Sequence, residues 1–266
     1  MRKYWADQIG YWAYQSLQMF SSGLVVGITS RGLFLLLGGE QVVFLSNESH
    51  LSPLTVTLQP GGGDWKDVNL RDSVAVYENK FRIAGAVEIS IAEARVWQPS
   101  LLQLQAINPP EGVPERLSAV AHRLLELKGE VGWGGFLAHL LDCREQPPGE
   151  EILVIEQYIN SLRVAMFSER VDRVRMALKP FFGLGRGLTP SGDDFIIGLI
   201  LVLSRWPRSV NFHPNLGELL DGIVSDAQLQ TTRISQAMIT CAAHGYADER
   251  LLDAIDGIIT GDKSVD

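Results

Sequence analysis

The first hundred residues alternate between short apolar runs and glycine or charged breaks, a pattern typical of strands joined by tight turns. The stretch GLVVGITSRGLFLLLGGEQVVFLS predicts consecutive hairpins, because Ser-Arg-Gly and Gly-Gly interrupt its apolar runs. SPLTVTLQP, SVAVYENKFRIAG and AVEISIAEARVW continue the pattern, and the second of them contains a further hairpin candidate at Glu78-Asn79-Lys80. One helix is predicted ahead of these strands, at about Trp5–Phe20. This part of the chain therefore predicts a small antiparallel sheet or barrel.

From Leu101 onward the spacing of apolar residues becomes helical. PERLSAVAHRLLEL, NLGELLDGIVSDA and TTRISQAMITCAAHG each repeat apolar residues at three- and four-residue intervals. The segment FIIGLILVL is apolar on every side, which predicts a buried central helix. It is too short for a membrane span, which needs about 20 residues. We predict an α+β fold with a β-rich domain at residues 1–100 and an all-helical domain at residues 101–266.

Composition narrows the classes of function. The net charge is −8 at pH 7, which argues against a nucleic-acid-binding protein. The N-terminus does not have the pattern of a signal peptide, and Cys143 and Cys241 have no metal or redox spacing. Both features favour a cytoplasmic protein with reduced thiols. Residues 163–186 nevertheless carry six Lys or Arg side chains against two acidic ones, within an otherwise acidic half of the chain.

The stretch GLGRGLTPSGDD, at residues 183–194, is the strongest candidate for chemistry. It is not a P-loop, because Asp193 and Asp194 stand where that motif needs Lys and a hydroxyl residue. It is not a dinucleotide fingerprint either, because Leu188 replaces the third glycine. Other catalytic patterns, such as HExxH and the serine-hydrolase elbow GxSxG, do not occur in the chain.

Two interpretations of this loop remain open. In the first it only starts a helix, with Ser191 as the N-cap and Asp194 bonding back, or with Thr189 as the cap before Pro190. In the second, its hydroxyls, backbone N–H groups and paired carboxylates bind a small oxyanion or a Mg²⁺-bridged phosphate, with Arg186 as an anion partner. Thr231-Thr232-Arg233 starts a second helix and has the same two interpretations, a plain N-cap or part of an anion site.

The motif GLGRGLTPSGDDFIIG, followed some forty residues later by TTRISQAMITCAAHG, resembles the family of the AllH subunit of oxamate carbamoyltransferase. SPLTVTL and the ARVWQP segment in the N-terminal part fit the same family. The resemblance implies a cytoplasmic subunit of a multi-subunit transferase of allantoin catabolism, in purine degradation. That enzyme converts oxalurate and phosphate to oxamate and carbamoyl phosphate, so partner subunits and small anionic substrates are implied.

The residues and the resemblance together define a candidate site. Asp193 and Asp194 are the candidate catalytic residues, one of them receiving carbamoyl or amide N–H groups while Asp194 caps the helix. The candidate ligand-binding residues come from both segments: Gly185, Arg186, Gly187, Thr189, Ser191, Gly192, Thr231, Thr232, Arg233 and Ser235. No metal site or cofactor is predicted, although Mg²⁺ is compatible with paired aspartates on a phosphate loop.

One departure from the family leaves an alternative open. Family members carry a further Gly/Ser/Asp-rich segment after the C-terminal helices, whereas this sequence reads LLDAIDGIITGDKSVD there. If that segment supplies half of the site, this chain binds without catalysing or needs a partner subunit. The alternative to a carbamoyltransferase subunit is therefore a non-catalytic binding or scaffolding subunit whose loop is purely structural.

Overall fold

The computed structural model of the chain describes residues 1–99, 111–128, 133–142, 149–168, 170–207 and 215–261. The chain divides into two compact units, Met1–Ser100 with Tyr246–Glu249 and Leu101–Gly245 with Arg250–Asp266. Cys143 lies outside the described residues, and Cys241 is buried. None of the helices in the described ranges is long and apolar enough to cross a membrane.

A sheet that closes on itself makes up most of the first unit. Its strands are β1 (Arg2–Gly10), β2 (Ser22–Thr29), β3 (Gly32–Leu37), β4 (Gln41–Ser46), β5 (Thr55–Leu58), β6 (Ser73–Tyr77), β7 (Lys80–Ile83), β8 (Val87–Ser90) and β9 (Arg95–Trp97). They follow the order β5-β4-β3-β2-β6-β7-β8-β1-β9, and a further pairing of β1 with β5 closes the ring. The hairpins β2–β3, β3–β4 and β6–β7 are confirmed as antiparallel pairs. The pairs β1–β8, β1–β9 and β4–β5 are parallel.

The interior of this sheet is filled by alternate residues of its strands. Val25, Leu35, Leu45 and Phe81 are fully buried and belong to one apolar cluster. Burying one face of a strand fixes its register, because a shift by one residue would turn every inward side chain outward. The period-2 pattern of the sequence is therefore the direct signal of this core.

The predicted helix at Trp5–Phe20 is wrong in its first half. Residues Arg2–Gly10 are strand β1, and only α1 (Tyr11–Met19) is helical. Strand β1 pairs with β5, β8 and β9, so its conformation is set by partners that lie far away in sequence. Such pairing overrides local helix propensity. A Cβ on Gly10 would lie 2.1 Å from the Ser52 carbonyl oxygen, so the chain passes too closely there for any other residue.

Helices make up the second unit, as predicted for the C-terminal part of an α+β chain. They are α2 (Val113–Lys128), α3 (Gly134–Leu140), α4 (Glu150–Met166), α5 (Val171–Leu178), α6 (Ser191–Arg205), α7 (Leu216–Gln230), α8 (Arg233–Ala243) and α9 (Glu249–Thr260). A 3-10 turn at Lys179–Phe181 follows α5. Helix α6 packs against α7 and α8, and Ile196, Ile200 and Leu201 on it are fully buried. The predicted buried central helix is therefore α6.

Candidate functional site

Glycines set the path of the loop that precedes α6. Gly183, Gly185 and Gly187 have φ angles of 67°, 116° and 100°, which residues with a Cβ rarely adopt. Gly192, at the start of α6, has no room for a side chain, because a Cβ there would lie 2.0 Å from the Phe181 carbonyl oxygen. The Gly192 N–H also donates to the Leu184 carbonyl, at 2.8 Å. The loop therefore folds back tightly against the first turn of α6.

Helix α6 starts differently from either predicted cap. Its N-cap residue is Pro190, in an extended conformation with ψ of 144°, and no side chain caps the helix. The Pro190 carbonyl accepts the N–H groups of Asp193 and Asp194, at 2.9 and 3.1 Å. Because the extended Pro190 places Ser191 inside the first turn, the predicted capping box of Ser191 and Asp194 does not form. Thr189 stands one position too early to cap.

Asp193 joins the two halves of the candidate site. Its side chain is fully buried. One carboxylate oxygen accepts the Gly183 N–H at 2.9 Å, and the other accepts the Thr231 hydroxyl. A buried carboxylate needs such donors, because its desolvation is costly. Asp193 therefore holds the beginning of the glycine loop, the first turn of α6 and the segment before α8 in one arrangement.

Thr232 makes a second connection between the same segments. Its hydroxyl oxygen accepts the Ser235 N–H at 3.1 Å, so Thr232 is the N-cap of α8. The same hydroxyl donates to the Leu188 carbonyl at 2.8 Å, and Ser235 is fully buried beneath it. Thr232 is thus the plain helix cap of the first interpretation, and it also anchors the middle of the glycine loop.

Other polar groups on this loop have no partner in the described part of the chain. The backbone N–H groups of residues 185–189 find no acceptor there, and the exposed Arg186 side chain has no hydrogen bond or ion pair. The hydroxyls of Thr189 and Ser191 are likewise without described hydrogen bonds. A run of free N–H groups on a loop with left-handed glycines is the kind of backbone that binds anions in proteins.

Asp194 differs from Asp193 in environment. Part of its side chain reaches solvent, and no donor among the described residues bonds to it. Burial of the rest of the group raises the pKa of the Asp194 carboxyl to about 6, and the neighbouring Asp193 adds to the rise. Asp194 is therefore able to hold or release a proton close to neutral pH.

Arg233 differs from Thr231 and Thr232, because the hydrogen bond of its side chain stays within α8. Its exposed guanidinium donates to the Gln236 side-chain oxygen, at 3.1 Å, and forms no hydrogen bond or ion pair with residues 183–194 in the described part of the chain. The i,i+3 spacing of Arg233 and Gln236 on α8 accounts for this pairing.

An aromatic cluster beneath the loop was missed by sequence reasoning. Phe181 stacks on Phe195, with ring centroids 4.8 Å apart, and Trp133 lies 5.6 Å from Phe195. Tyr158 meets the Phe181 ring edge-on at 5.9 Å. Phe181 lies two residues before the loop and Phe195 directly follows it, so the cluster holds both ends of the loop. The pair Phe181-Phe182 ahead of the first glycine was the available signal.

A metal cluster does not accompany the paired aspartates. No group of three His, Cys, Asp or Glu side chains that is able to hold an ion occurs among the described residues. The two oxygens of Asp193 are already occupied by protein donors.

Comparisons with known proteins concern this same segment. A family model described as oxamate carbamoyltransferase subunit AllH matches residues 181–265, about a third of the chain. Searches of curated proteins and of solved structures each returned no match. The segment that holds both halves of the site is therefore similar to the AllH subunit of oxamate carbamoyltransferase, which confirms the resemblance inferred from its motifs.

Proposed function

We propose that this chain is a subunit of a carbamoyltransferase that acts on oxalurate and phosphate, or in reverse on oxamate and carbamoyl phosphate, in allantoin catabolism. The family match over residues 181–265 supports membership of such an enzyme. The observation that carries the binding proposal is the run of N–H groups at residues 185–189, which have no acceptor among the described residues, on the same loop as Arg186, which has no ion-pair partner among them. All the substrates are small anions, which such groups bind well.

The loop has two tasks in this proposal. Its N–H groups and Arg186 hold the phosphate, and the same donors stabilise negative charge that develops on the carbamoyl oxygen in the transition state. The hydroxyls of Thr189 and Ser191 supply further donors. Asp193, Thr231 and Thr232 position the loop and do not contact the substrate, because their polar atoms are already bonded within the protein.

Asp194 is the proposed proton donor. In the forward reaction a phosphate oxygen attacks the carbamoyl carbon of oxalurate, and the bond from that carbon to the oxamate nitrogen breaks. The departing nitrogen takes a proton, which the protonated Asp194 carboxyl supplies. A pKa near 6 suits this task, since an ordinary aspartate is protonated too rarely at neutral pH. In the reverse reaction the Asp194 carboxylate takes the proton back.

The alternative is a non-catalytic subunit whose loop is purely structural. The hydrogen bonds of Asp193, Thr231 and Thr232 favour this alternative, because these candidate site residues bond to other parts of the protein. In this alternative the exposed N–H groups of residues 185–188 and the Arg186 side chain bond only to water, whereas in the first proposal they bind the substrate. The two proposals therefore differ in whether this chain binds an anion.

The melting temperature of the purified chain tests the proposal, measured with phosphate, carbamoyl phosphate and oxalurate, each with and without Mg²⁺. A ligand at one hundred times its dissociation constant stabilises the chain by about 2.7 kcal/mol, an easily measured shift. We expect a shift with carbamoyl phosphate or oxalurate that does not depend on Mg²⁺. Replacing Arg186 by Gln is expected to weaken binding by about tenfold or more.

Arg123→Gln is the matched control for Arg186→Gln, since Arg123 is an exposed arginine on α2. It should leave the ligand shift unchanged. If none of the three anions shifts the melting temperature, or if Arg186→Gln and Arg123→Gln behave alike, the loop is structural and the alternative stands.

A further inference from the structure

Helices α4 and α5 expose apolar side chains along a shared groove. The groove has a volume of about 330 Å³, and Val164, Arg173 and Met176 are among the residues that line it. Val164 and Met176 are 70% and 67% exposed, and Phe167, one turn after Val164, is 83% exposed. Exposed apolar side chains that gather at one surface, as Val164 and Met176 do at this groove, mark an interaction surface.

Positive charge lines this groove at Arg173, and two further basic residues lie close to its lining residues in sequence. Arg173 lines the groove, while Arg163 and Lys179 are exposed on α4 and just after α5. All three lack an ion-pair partner among the described residues. Two other arginines of the segment are already neutralised, Arg170 by Asp172 and Arg175 by Asp226. An apolar groove with a basic rim on a chain of net charge −8 is selective for an acidic partner.

We propose that this groove is the docking surface for another subunit of the same enzyme, one that presents an apolar side chain surrounded by acidic residues. This proposal rests on the proposed function, because a family described as a subunit implies partner chains. A second copy of this chain fits less well. A two-fold dimer through the groove would oppose two basic rims, and a head-to-tail contact would continue into a ring or a filament.

The test uses a tagged copy of the full chain, purified from its native cells together with the chains that bind it. The bound chains are identified by mass spectrometry and mixed with the purified chain to restore carbamoyl phosphate formation from oxalurate. Affinity for them is then measured for three variants: Met176→Glu, Arg173→Glu and the control Met19→Glu. Met19 is a methionine of similar exposure, 71%, at the end of α1. The melting temperature of each variant reports whether it folds.

We expect Met176→Glu to weaken partner binding by about tenfold or more, because it places a charge in the apolar centre of the contact. Arg173→Glu should slow association and remove part of its salt dependence, while Met19→Glu binds like wild type. Arg173 is exposed, so its reversal keeps the test valid if Met176→Glu fails to fold.

Three outcomes overturn the docking proposal. If Met176→Glu and Arg173→Glu both bind the partner normally, the groove is not the docking surface, and the function of the chain is untouched. If the wild-type chain self-associates and Met176→Glu abolishes this, a second copy occupies the groove. If no other subunit accompanies the wild-type chain, the subunit assignment fails together with the docking surface.

Discussion

Thr231 donates a hydrogen bond to the buried carboxylate of Asp193, 38 residues earlier in the chain. The Gly183 N–H donates to the other oxygen of that carboxylate. This arrangement gives a physical reason for two separate motifs to occur together, because the Thr-Thr segment supplies a donor that the buried carboxylate of the glycine loop must have. Asp193 thus holds the two segments of the candidate site together.

Replacing Asp193 by Ala should therefore lower the stability of the chain. The substitution leaves the Gly183 N–H and the Thr231 hydroxyl without their acceptor, at a cost of about 3 kcal/mol in the free energy of unfolding. Urea denaturation measures the change. In a double-mutant cycle with Thr231→Val, we expect a coupling energy of about 1–2 kcal/mol. Strictly additive effects would show that the bond contributes nothing.

Two glycines of α6 should respond oppositely to alanine. Gly192→Ala places a Cβ 2.0 Å from the Phe181 carbonyl oxygen, and we expect a loss of about 3 kcal/mol as the loop is pushed away. Gly198→Ala, in the interior of the same helix, meets nothing within 4 Å. It should gain about 0.5–1 kcal/mol from better helix propensity. Equal urea midpoints for the two variants would contradict the tight packing of the loop on α6.

The sequence predicted best those features that depend on neighbours close in the chain. The hairpins β2–β3 and β6–β7 follow from alternation and turn residues, and α7 and α8 follow from apolar spacing. Strand β1 was mistaken for helix because its partners, among them β8 and β9, lie some 80 residues away. A pattern within one short segment does not predict a strand pairing over that distance.

Within the site, the sequence indicated which segments matter but not which contacts their side chains make within the protein. It found the glycine loop and the Thr-Thr segment, and the N-cap of the first interpretation is the role that the structure shows for Thr232. The sequence predicted that Asp193 contacts a ligand. It did not predict that Asp193 is buried, because that burial depends on the packing of α6 against α8. The difference in burial between Asp193 and Asp194 also arises from tertiary packing, and two adjacent aspartates carry no sign of it in the sequence.

The raised pKa of Asp194 predicts a specific dependence of stability on pH. In the folded chain the carboxyl has a pKa of about 6, against an ordinary value of 3.8, so the folded state binds the proton more tightly than the unfolded state. Stability from this group is therefore complete at low pH and is lost as the pH rises from about 4 to about 6. Asp194→Asn should match wild type at pH 3.5 and melt higher above pH 6.5.

Asp172→Asn is the control for Asp194→Asn, because the Arg170 side chain lowers the pKa of Asp172 by hydrogen bonding. The sign is reversed: Asp172 contributes stability above its ordinary pKa, and this is lost as the pH falls through its folded pKa. Asp172→Asn should therefore melt slightly lower at pH 7 and match wild type in acid. Parallel melting curves for Asp194→Asn and wild type across this range would refute the raised pKa.

The ion pair between Arg205 and Asp256 should be the most sensitive polar contact outside the loop. It joins the end of α6 to α9 with two bonds, at 3.1 and 2.5 Å, and the Trp206 ring N–H also donates to Asp256 at 2.9 Å. Only 4% of the Arg205 side chain is exposed.

Asp256→Ala leaves the Arg205 charge buried without its partner and should cost about 3–5 kcal/mol in the free energy of unfolding, measured by urea denaturation. Asp172→Ala breaks the exposed pair with Arg170 and should change the urea midpoint much less than Asp256→Ala does. Replacing both members of the buried pair, as Arg205→Met with Asp256→Leu, should recover part of the loss, because it removes the unpaired charge but still leaves the Trp206 ring N–H without its acceptor. If the double variant is no more stable than Asp256→Ala, the lost contribution lies in packing and not in charge.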